Sequence, residues 1–343
     1  VNAFRAALLV ALSIVVAAPS VSASGDERAD DPYRIVRGVT VSCVGAGQSW
    51  GSDEMVATLG VLKDLGVNWV SIHPYGGIQN DGTVGRSRID GLYHDPKWLT
   101  RAIDEAHRLG IKIFIKPHIA YWGSRFSWRG DITFETDEQW QRFFDSYEEW
   151  IAMVASLSRD ADGFAVGTEL DRTVSHEARW RSLIEHIRRE TNAPLTYCAG
   201  WDAFESVAFW DALNVVGIQA YFPLVAHEDT PTPDEISLGW SHLVQRLDAF
   251  GRAHHRDIIL GELGYNRSFA AAVRPWAYEV DDDPAAEALQ LLCLRSALDA
   301  IATSETVVGA FLWKWFPGEI PRGNFRLSTP AIRQLLAEKW ATN

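Results

Sequence analysis

A single-domain (β/α)8 TIM barrel of the α/β class is the fold this chain predicts, on three observations. Apolar runs rich in β-branched residues alternate with amphipathic stretches along almost the whole sequence, there are eight such runs, and polar and aromatic residues gather just after them. Strands that alternate with helices pair in parallel, and eight such units close into a barrel whose active site forms at the C-terminal ends of the strands. At 343 residues with 47% hydrophobic content, the chain can bury a large core in one domain.

Taken in order, the first strand is residues 35–42, followed by a helical pattern over 52–65 that opens on Ser52-Asp-Glu54 and stops at Gly66. The second strand, 67–73, leads to a helix over 95–109 that opens at Asp95-Pro96 and ends at Gly110. Strand three (112–118) precedes a helix over 137–158, and strand four (163–169) precedes one over 176–191. Strand five is 195–200 and strand six 215–221, with a helix over 236–254. Strand seven (258–262), a helix over 284–303 and strand eight (307–313) complete the pattern. An open doubly wound sheet uses the same units, but it usually carries a Gly-rich phosphate turn after its first strand. Val44-Gly-Ala-Gly-Gln48 lacks the third Gly and the acidic ribose partner, and reads as a loop.

The first residues combine Arg5 with an apolar run over 6–18, Pro19 and the small-residue sequence Val21-Ser-Ala-Ser24. That is the pattern of a secretory signal peptide over 1–23, cleaved after Ala23, followed by a flexible leader over 24–34 and a catalytic barrel over 35–343. The run is short for a membrane span and no second run of spanning length follows, so an exported protein without membrane attachment is expected, extracellular or periplasmic. The formal charge of −13 and the absence of a basic patch argue against a nucleic-acid partner. Cys43, Cys198 and Cys293 have no paired spacing and read as buried thiols, with a Cys43–Cys198 bridge left open. Metal and cofactor are not expected, because no close His, Asp and Glu set has ligand spacing.

Barrel geometry makes the strand ends a functional map. His73-Pro-Tyr75 follows strand two, Lys116-Pro-His118 and Tyr121-Trp122 follow strand three, and Thr168-Glu169 ends strand four. Trp201-Asp202 follows strand five, Gln219-Ala-Tyr221 ends strand six, Glu262 ends strand seven and Trp313-Lys-Trp315 ends strand eight. Alternation within strands places Phe114, Lys116 and His118 on one face, Ala165, Gly167 and Glu169 on another, and Leu260 with Glu262. The two glutamates are therefore expected to point inward. Each closes an apolar run in which an ionised carboxylate is costly unless paired or used.

Two carboxyl groups across a cleft lined by Trp, Tyr and His suit cleavage of a glycosidic bond, one protonating the leaving oxygen while the other attacks or activates water. The positions of Glu169 and Glu262 resemble those in clan A of the glycoside hydrolases, whose members are retaining (β/α)8 enzymes. Within the clan the chain looks most like glycoside hydrolase family 113, the β-mannanases. The likeness runs from Gly38-Val-Thr40 through Lys116-Pro-His118, Gly167-Thr-Glu169, Gly261-Glu-Leu-Gly264 and Arg274-Pro-Trp276 to Phe311-Leu-Trp313. It implies Glu169 as general acid/base, Glu262 as nucleophile, Tyr221 as a hydrogen-bond donor to the nucleophile and Trp313 as an aromatic platform. The clan's usual Asn before the acid/base is Thr168 here, so the amide that would contact the sugar 2-hydroxyl is missing. With Glu262 charged and roughly 5 to 5.5 Å away, Glu169 is expected to hold its proton more tightly than usual.

His73 and His118 read either as core histidines or as hydrogen-bonding groups for sugar hydroxyls. Lys116 reads as a substrate contact or as the partner of a carboxylate. Trp122, Trp201 and Trp276 read as sugar platforms or as loop anchors. The function expected is cleavage of a β-1,4-linked polysaccharide or oligosaccharide, with mannan first and glucan, xylan or exo-mannoside cleavage as alternatives. A non-catalytic carbohydrate-binding barrel would need neither glutamate.

Overall fold

The structure, a computed structural model, describes residues 33, 35–85, 95–227, 229–318 and 323–341. They fall within one compact unit, Pro32–Asn343. The segment read as a signal peptide lies outside the described residues, as does the leader apart from Tyr33. That tyrosine is fully buried, and its hydroxyl donates to the Pro194 carbonyl at 2.9 Å, so the packed fold reaches into the stretch assigned to the leader.

Ten strands run in chain order: β1 (Val36–Val41), β2 (Trp69–Ile72), β3 (Tyr75–Gly77), β4 (Lys112–Ile115), β5 (His118–Ala120), β6 (Gly163–Thr168), β7 (Leu195–Gly200), β8 (Val216–Gln219), β9 (Ile258–Leu263) and β10 (Val307–Trp315). Eight form a closed parallel barrel in the order β1-β10-β9-β8-β7-β6-β4-β2, each beside its sequence neighbours. The other two, β3 and β5, pair with one another above the rim. The sequence reads β2 and β4 as running on to His73 and His118, but Pro74 and Pro117 lack the N–H a barrel ladder needs. The chain breaks there and restarts as β3 and β5, which lifts Tyr75 and His118 above the barrel proper.

Seven α-helices stand among the described residues: α1 (Asp53–Asp64), α2 (Lys97–Arg108), α3 (Asp137–Leu157), α4 (Glu177–Glu190), α5 (Pro233–His254), α6 (Pro284–Ile301) and α7 (Pro330–Trp340). Ser52 caps α1 by accepting from the Met55 N–H, and Thr136 caps α3 in the same way. The fifth α helix starts three residues before the sequence boundary because Thr232 and Glu235 form a capping box around Pro233. Between β7 and β8 stand two 3-10 turns, Phe204–Ser206 and Trp210–Ala212. The last helix begins at Thr329-Pro330, a capped start of the kind that Asp283-Pro284 gives α6.

Val36, Trp69, Phe114, Ala165, Cys198, Ile259 and Phe311, one from each of seven barrel strands, form a buried interior cluster with Tyr33 and Val215. A second, larger cluster joins strand residues to the helices. Lys116 keeps the parity of Phe114, as alternation predicts. Glu262 does not follow its expected parity. Leu260 packs in the outer cluster while Ile259 is inside, so a regular strand would turn Glu262 outward. Ile218 pairs with Leu260 but Gln219 with Glu262, which leaves one extra residue, Gly261, on β9. This bulge brings Glu262 back to the interior. On β6, Ala165 pairs with Thr196 and Thr168 with Cys198, again with one extra residue, and Glu169 then adopts a left-handed φ of 50°. For Glu262 the inward placement comes from a bulge rather than from alternation, whereas Glu169 follows a bulged segment and carries a left-handed backbone.

Gly261 is required at its bulge. A Cβ there would lie 2.8 Å from Cys198 Sγ and 2.9 Å from Gln219 Oε1, both in the barrel interior. Gly261→Ala should therefore lower stability by about 1–3 kcal/mol, the usual cost of overpacking. It should also displace Glu262, so turnover at a temperature where the variant is fully folded should fall at least tenfold. Thermal melts and steady-state kinetics on the same preparation check this, and an unchanged melting point would refute it.

Candidate active site

Glu262 is 4% exposed at the end of β9. Its Oε1 accepts from the Lys116 ammonium and its Oε2 accepts from the Tyr221 hydroxyl at 2.7 Å. Lys116 has no exposed surface, and its ammonium lies 5.5 Å from the Trp313 ring centroid. Glu169 lies at the end of β6, its peptide N–H donating to the Cys198 carbonyl at 2.8 Å. Its carboxylate Oε2 accepts from Arg129 Nη1 at 3.2 Å.

The same Arg129 nitrogen lies 3.1 Å from His118 Nδ1. A guanidinium only donates, so Nδ1 carries no proton. Burial first, then the charges of Arg129 and Lys116, hold His118 well below the usual histidine range, so the ring is neutral. Its proton therefore sits on Nε2, 3.5 Å from Glu262 Oε1. Hydrogen bonds thus link Glu169 through Arg129 to His118, whose Nε2 faces Glu262 without a hydrogen bond of its own.

Glu169 is pushed up to about 7. Burial is the main cause, and the negative charges of Glu262 and Asp171 add to it against the opposing pull of Arg129. The sequence argument gives the direction but credits Glu262, which is the smaller contribution.

Other sequence-selected residues take different places. His73 is fully buried, with Nε2 3.1 Å from Ser42 Oγ and its ring stacked on His118 at 4.9 Å. It supports His118 and Trp313 from below and is removed from the rim. Thr168 is buried, and its hydroxyl donates to the Pro117 carbonyl at 3.1 Å, so that proton is not available to a sugar. Lys116 faces Glu262, which makes it a carboxylate partner. Trp201 stacks on Trp276 at 5.3 Å, and Trp276 remains 41% exposed. Trp122 is 64% exposed and packs on Tyr75. Trp313 forms a small cluster with Tyr221 and Phe325, against which Trp201 rests. All three cysteines are free, with Cys43 half-buried.

Arg129, Asp171, Phe325 and Tyr278 were not selected from sequence. Arg129 lies in a 3-10 turn, Arg129–Asp131, within a non-periodic loop, where its charge gives no positional signal. The loop carrying Phe325 is tied to β10 by Lys314 N–H donating to the Phe325 carbonyl at 2.9 Å. Tyr278 is highly exposed, with its ring edge-on to Phe325.

Division of labour between an ion-paired carboxylate and one that keeps its proton near neutrality is what cleavage of a sugar acetal requires. Set at the mouth of a parallel barrel beside exposed tryptophans, it marks the class of the protein as a glycoside hydrolase, and the comparisons with known proteins agree. The sequence model of Glycoside Hydrolase Family 113 matches residues 39–322, and the chain belongs to that family. The fold is similar to that of the family 113 β-mannanase of Alicyclobacillus acidocaldarius solved with ManMIm, with a TM-score of 0.75 and 24% identity over 90% of this chain and 97% of that one. A second family 113 β-1,4-mannanase gives a TM-score of 0.76 at 19% identity, over 90% of this chain and 100% of that one. A family 5 mannosidase from Rhizomucor miehei gives 0.60 at 11% identity, over 90% and 92%. No curated relative matches by sequence.

The raised proton affinity of Glu169 has a consequence for stability. In the unfolded chain its ordinary value is 4.5, and in the fold it is about 7, so the folded state binds the proton more tightly between these limits. Stability attributable to Glu169 is therefore present at low pH and lost as pH rises from 4.5 through 7. At about 1.4 kcal/mol per unit, the loss is roughly 3–3.5 kcal/mol. In Glu169→Gln this dependence should vanish, so the stability of wild type relative to the variant should fall by that amount between pH 4 and pH 8. Urea unfolding at the two pH values measures it, and a constant difference would contradict the assignment.

Proposed function

We propose that the protein is an exported, retaining β-1,4-mannanase in which Glu262 is the nucleophile and Glu169 the general acid/base. The observation that carries the reading is the unequal treatment of the two carboxyls, Glu262 paired with Lys116 and Tyr221 while Glu169 holds its proton up to about 7. Membership of family 113 and the fold it shares with two β-mannanases support mannan as the substrate. Arg5, the apolar run over 6–18 and the small residues before Ser24 support export.

In the first step a carboxylate oxygen of Glu262 attacks the anomeric carbon while the bond to the leaving oxygen breaks and Glu169 gives that oxygen its proton. The product is a glycosyl ester on Glu262, which cancels the negative charge facing Lys116. Glu169 is now a carboxylate. It takes a proton from water, the water oxygen attacks the anomeric carbon, and the ester bond breaks to restore Glu262. Two inversions give net retention. Trp313 lies beside the reacting pair, while Trp122 on one loop and the Trp201–Trp276 stack on others offer ring faces to neighbouring sugars. With the Thr168 hydroxyl donated to Pro117, contact with the sugar 2-hydroxyl falls to other groups.

Digestion of mannan, glucan and xylan by the purified protein should release oligosaccharides from mannan at the highest rate, and proton NMR should detect the β-anomer first. Hydrolysis of xylan or glucan alone would move the protein to another clan activity, and an initial α-anomer would overturn retention. The two roles separate kinetically. Glu169→Ala should lose several orders of magnitude on substrates with poor leaving groups, keep more activity on activated aryl glycosides, and regain turnover with azide. Glu262→Ala should lose both, and equal losses without azide response would refute the assignment. N-terminal sequencing of the secreted protein tests export, and a mature chain that retains Arg5 would exclude cleavage at Ala23.

A further inference from the structure

We propose that Arg129 is a positioning residue of the reaction, bridging Glu169 to His118 so that the acid/base carboxyl is held toward the cleft and its anion is favoured in the second half-reaction. This rests on the assignment of Glu169 and Glu262 above. Arg129 belongs to no strand, yet it is largely buried and one of its nitrogens meets both Glu169 Oε2, at 3.2 Å, and His118 Nδ1, at 3.1 Å. A buried guanidinium costs several kcal/mol unless its charge and donors are used. Its Nε has no partner, so the residue's polar contacts are concentrated on the fork that faces the site.

The groups around Glu169 leave this role to Arg129. Glu262 from β9 and Asp171 from the turn after β6 both disfavour the Glu169 anion. Tyr197 and Cys198 on β7, Tyr221 after β8 and Tyr278 in the loop after β9 also sense its charge, and none of them is a cation. Lys116 faces the site from beyond β4, but its ammonium is engaged by Glu262. Around Arg129 itself stand Tyr75 and Tyr121 besides His118 and the neutral, buried His73. Arg129 is therefore the cation of this set that stands at hydrogen-bond distance from the carboxylate on which the charge appears.

That charge is acquired when Glu169 protonates the leaving group. At that moment Glu262 becomes an ester and its repulsion disappears, and the new anion sits 3.2 Å from a guanidinium already in place. The same contact fixes His118 as the Nε2–H tautomer facing Glu262, so a single side chain orients a group at each carboxyl. Arg129 thus matters most for the step in which Glu169 acts as base.

The test uses Arg129→Gln and Arg129→Lys in the full chain, with an aryl β-mannoside bearing a good leaving group. Gln removes the charge and keeps a hydrogen bond, whereas Lys keeps the charge without the fork. In Arg129→Gln the alkaline limb of kcat/KM should move up by about 1 pH unit, because an opposite charge at this range lowers a carboxyl pKa by about 1–3 units. Its kcat and KM should fall together, about tenfold, as the glycosyl-enzyme accumulates before a slowed second step. In Arg129→Lys the limb should stay near its wild-type position.

A limb that stays in place or moves down in folded Arg129→Gln overturns the proposal, as does identical behaviour of the two variants. Should Arg129→Gln fail to fold by circular dichroism, Arg129→Lys decides alone, since a displacement of its limb by a full unit is incompatible with a role for the charge. Glu169→Ala run in parallel separates the two levels. If it shows no leaving-group dependence or azide rescue, the assignment beneath is wrong and the proposal falls with it. If it shows both while the Arg129→Gln limb is unmoved, only the proposal falls.

Discussion

An ion pair across the mouth of the barrel governs this active site. Lys116 follows β4 and Glu262 ends β9, and these strands stand directly opposite one another in the closed order of eight. Neither side chain has appreciable exposure, so each charge is stable there only because the other is present. Removing one partner of such a pair typically costs roughly 3–5 kcal/mol. The pair therefore ties the two walls of the barrel mouth together and makes the chemistry conditional on correct closure. Tyr221 occupies the second oxygen of Glu262, which leaves that carboxylate hydrogen-bonded on both oxygens before any sugar arrives.

Glu169 answers to the opposite physics. It has no lysine partner, its one cation sits at hydrogen-bond distance on an irregular turn, and burial outweighs that cation in setting its proton affinity. The two carboxyls consequently differ by construction, without any difference in residue type. Their difference is also self-adjusting. In the proposed double displacement a sugar ester on Glu262 removes one of the negative charges that keep Glu169 protonated, so the first half-reaction prepares the second.

The barrel and its eight strands were legible in the sequence because they rest on local patterns, namely apolar runs and capping signals, and carboxylates at the ends of buried segments pointed to Glu169 and Glu262. Boundaries failed where prolines intervened, at Pro74 and Pro117. Alternation gave the correct direction for Glu262 through an incorrect route, since a bulge is set by pairing with the neighbouring strand and leaves no periodic mark in its own. His73 and Thr168 were placed at the rim by their position in sequence, yet both are buried and engaged with protein partners. Arg129 was invisible for a further reason. Its importance comes from what a non-periodic loop lies against, and a single charged loop residue carries no trace of that.

The two bulges also explain why the chemistry and the sugar contacts differ in how firmly they are built. On both strands a glycine precedes the glutamate, Gly167 within packing distance of Trp180 and Tyr197 and Gly261 against Cys198 and Gln219. These close approaches lock the strand ends, and the left-handed backbone at Glu169 is a local cost of about 1 kcal/mol or more that the surrounding packing sustains. Lys116, Tyr221 and both glutamates thus stand on or next to barrel strands whose geometry admits little variation. The exposed rings are different, because Trp122, Trp276 and Tyr278 project from loops that the barrel does not constrain. On the proposed roles the reaction is specified by the rigid part of the molecule and the range of sugars by the adjustable part, so changes confined to the loops should redirect the substrate while leaving the paired carboxyls as they are.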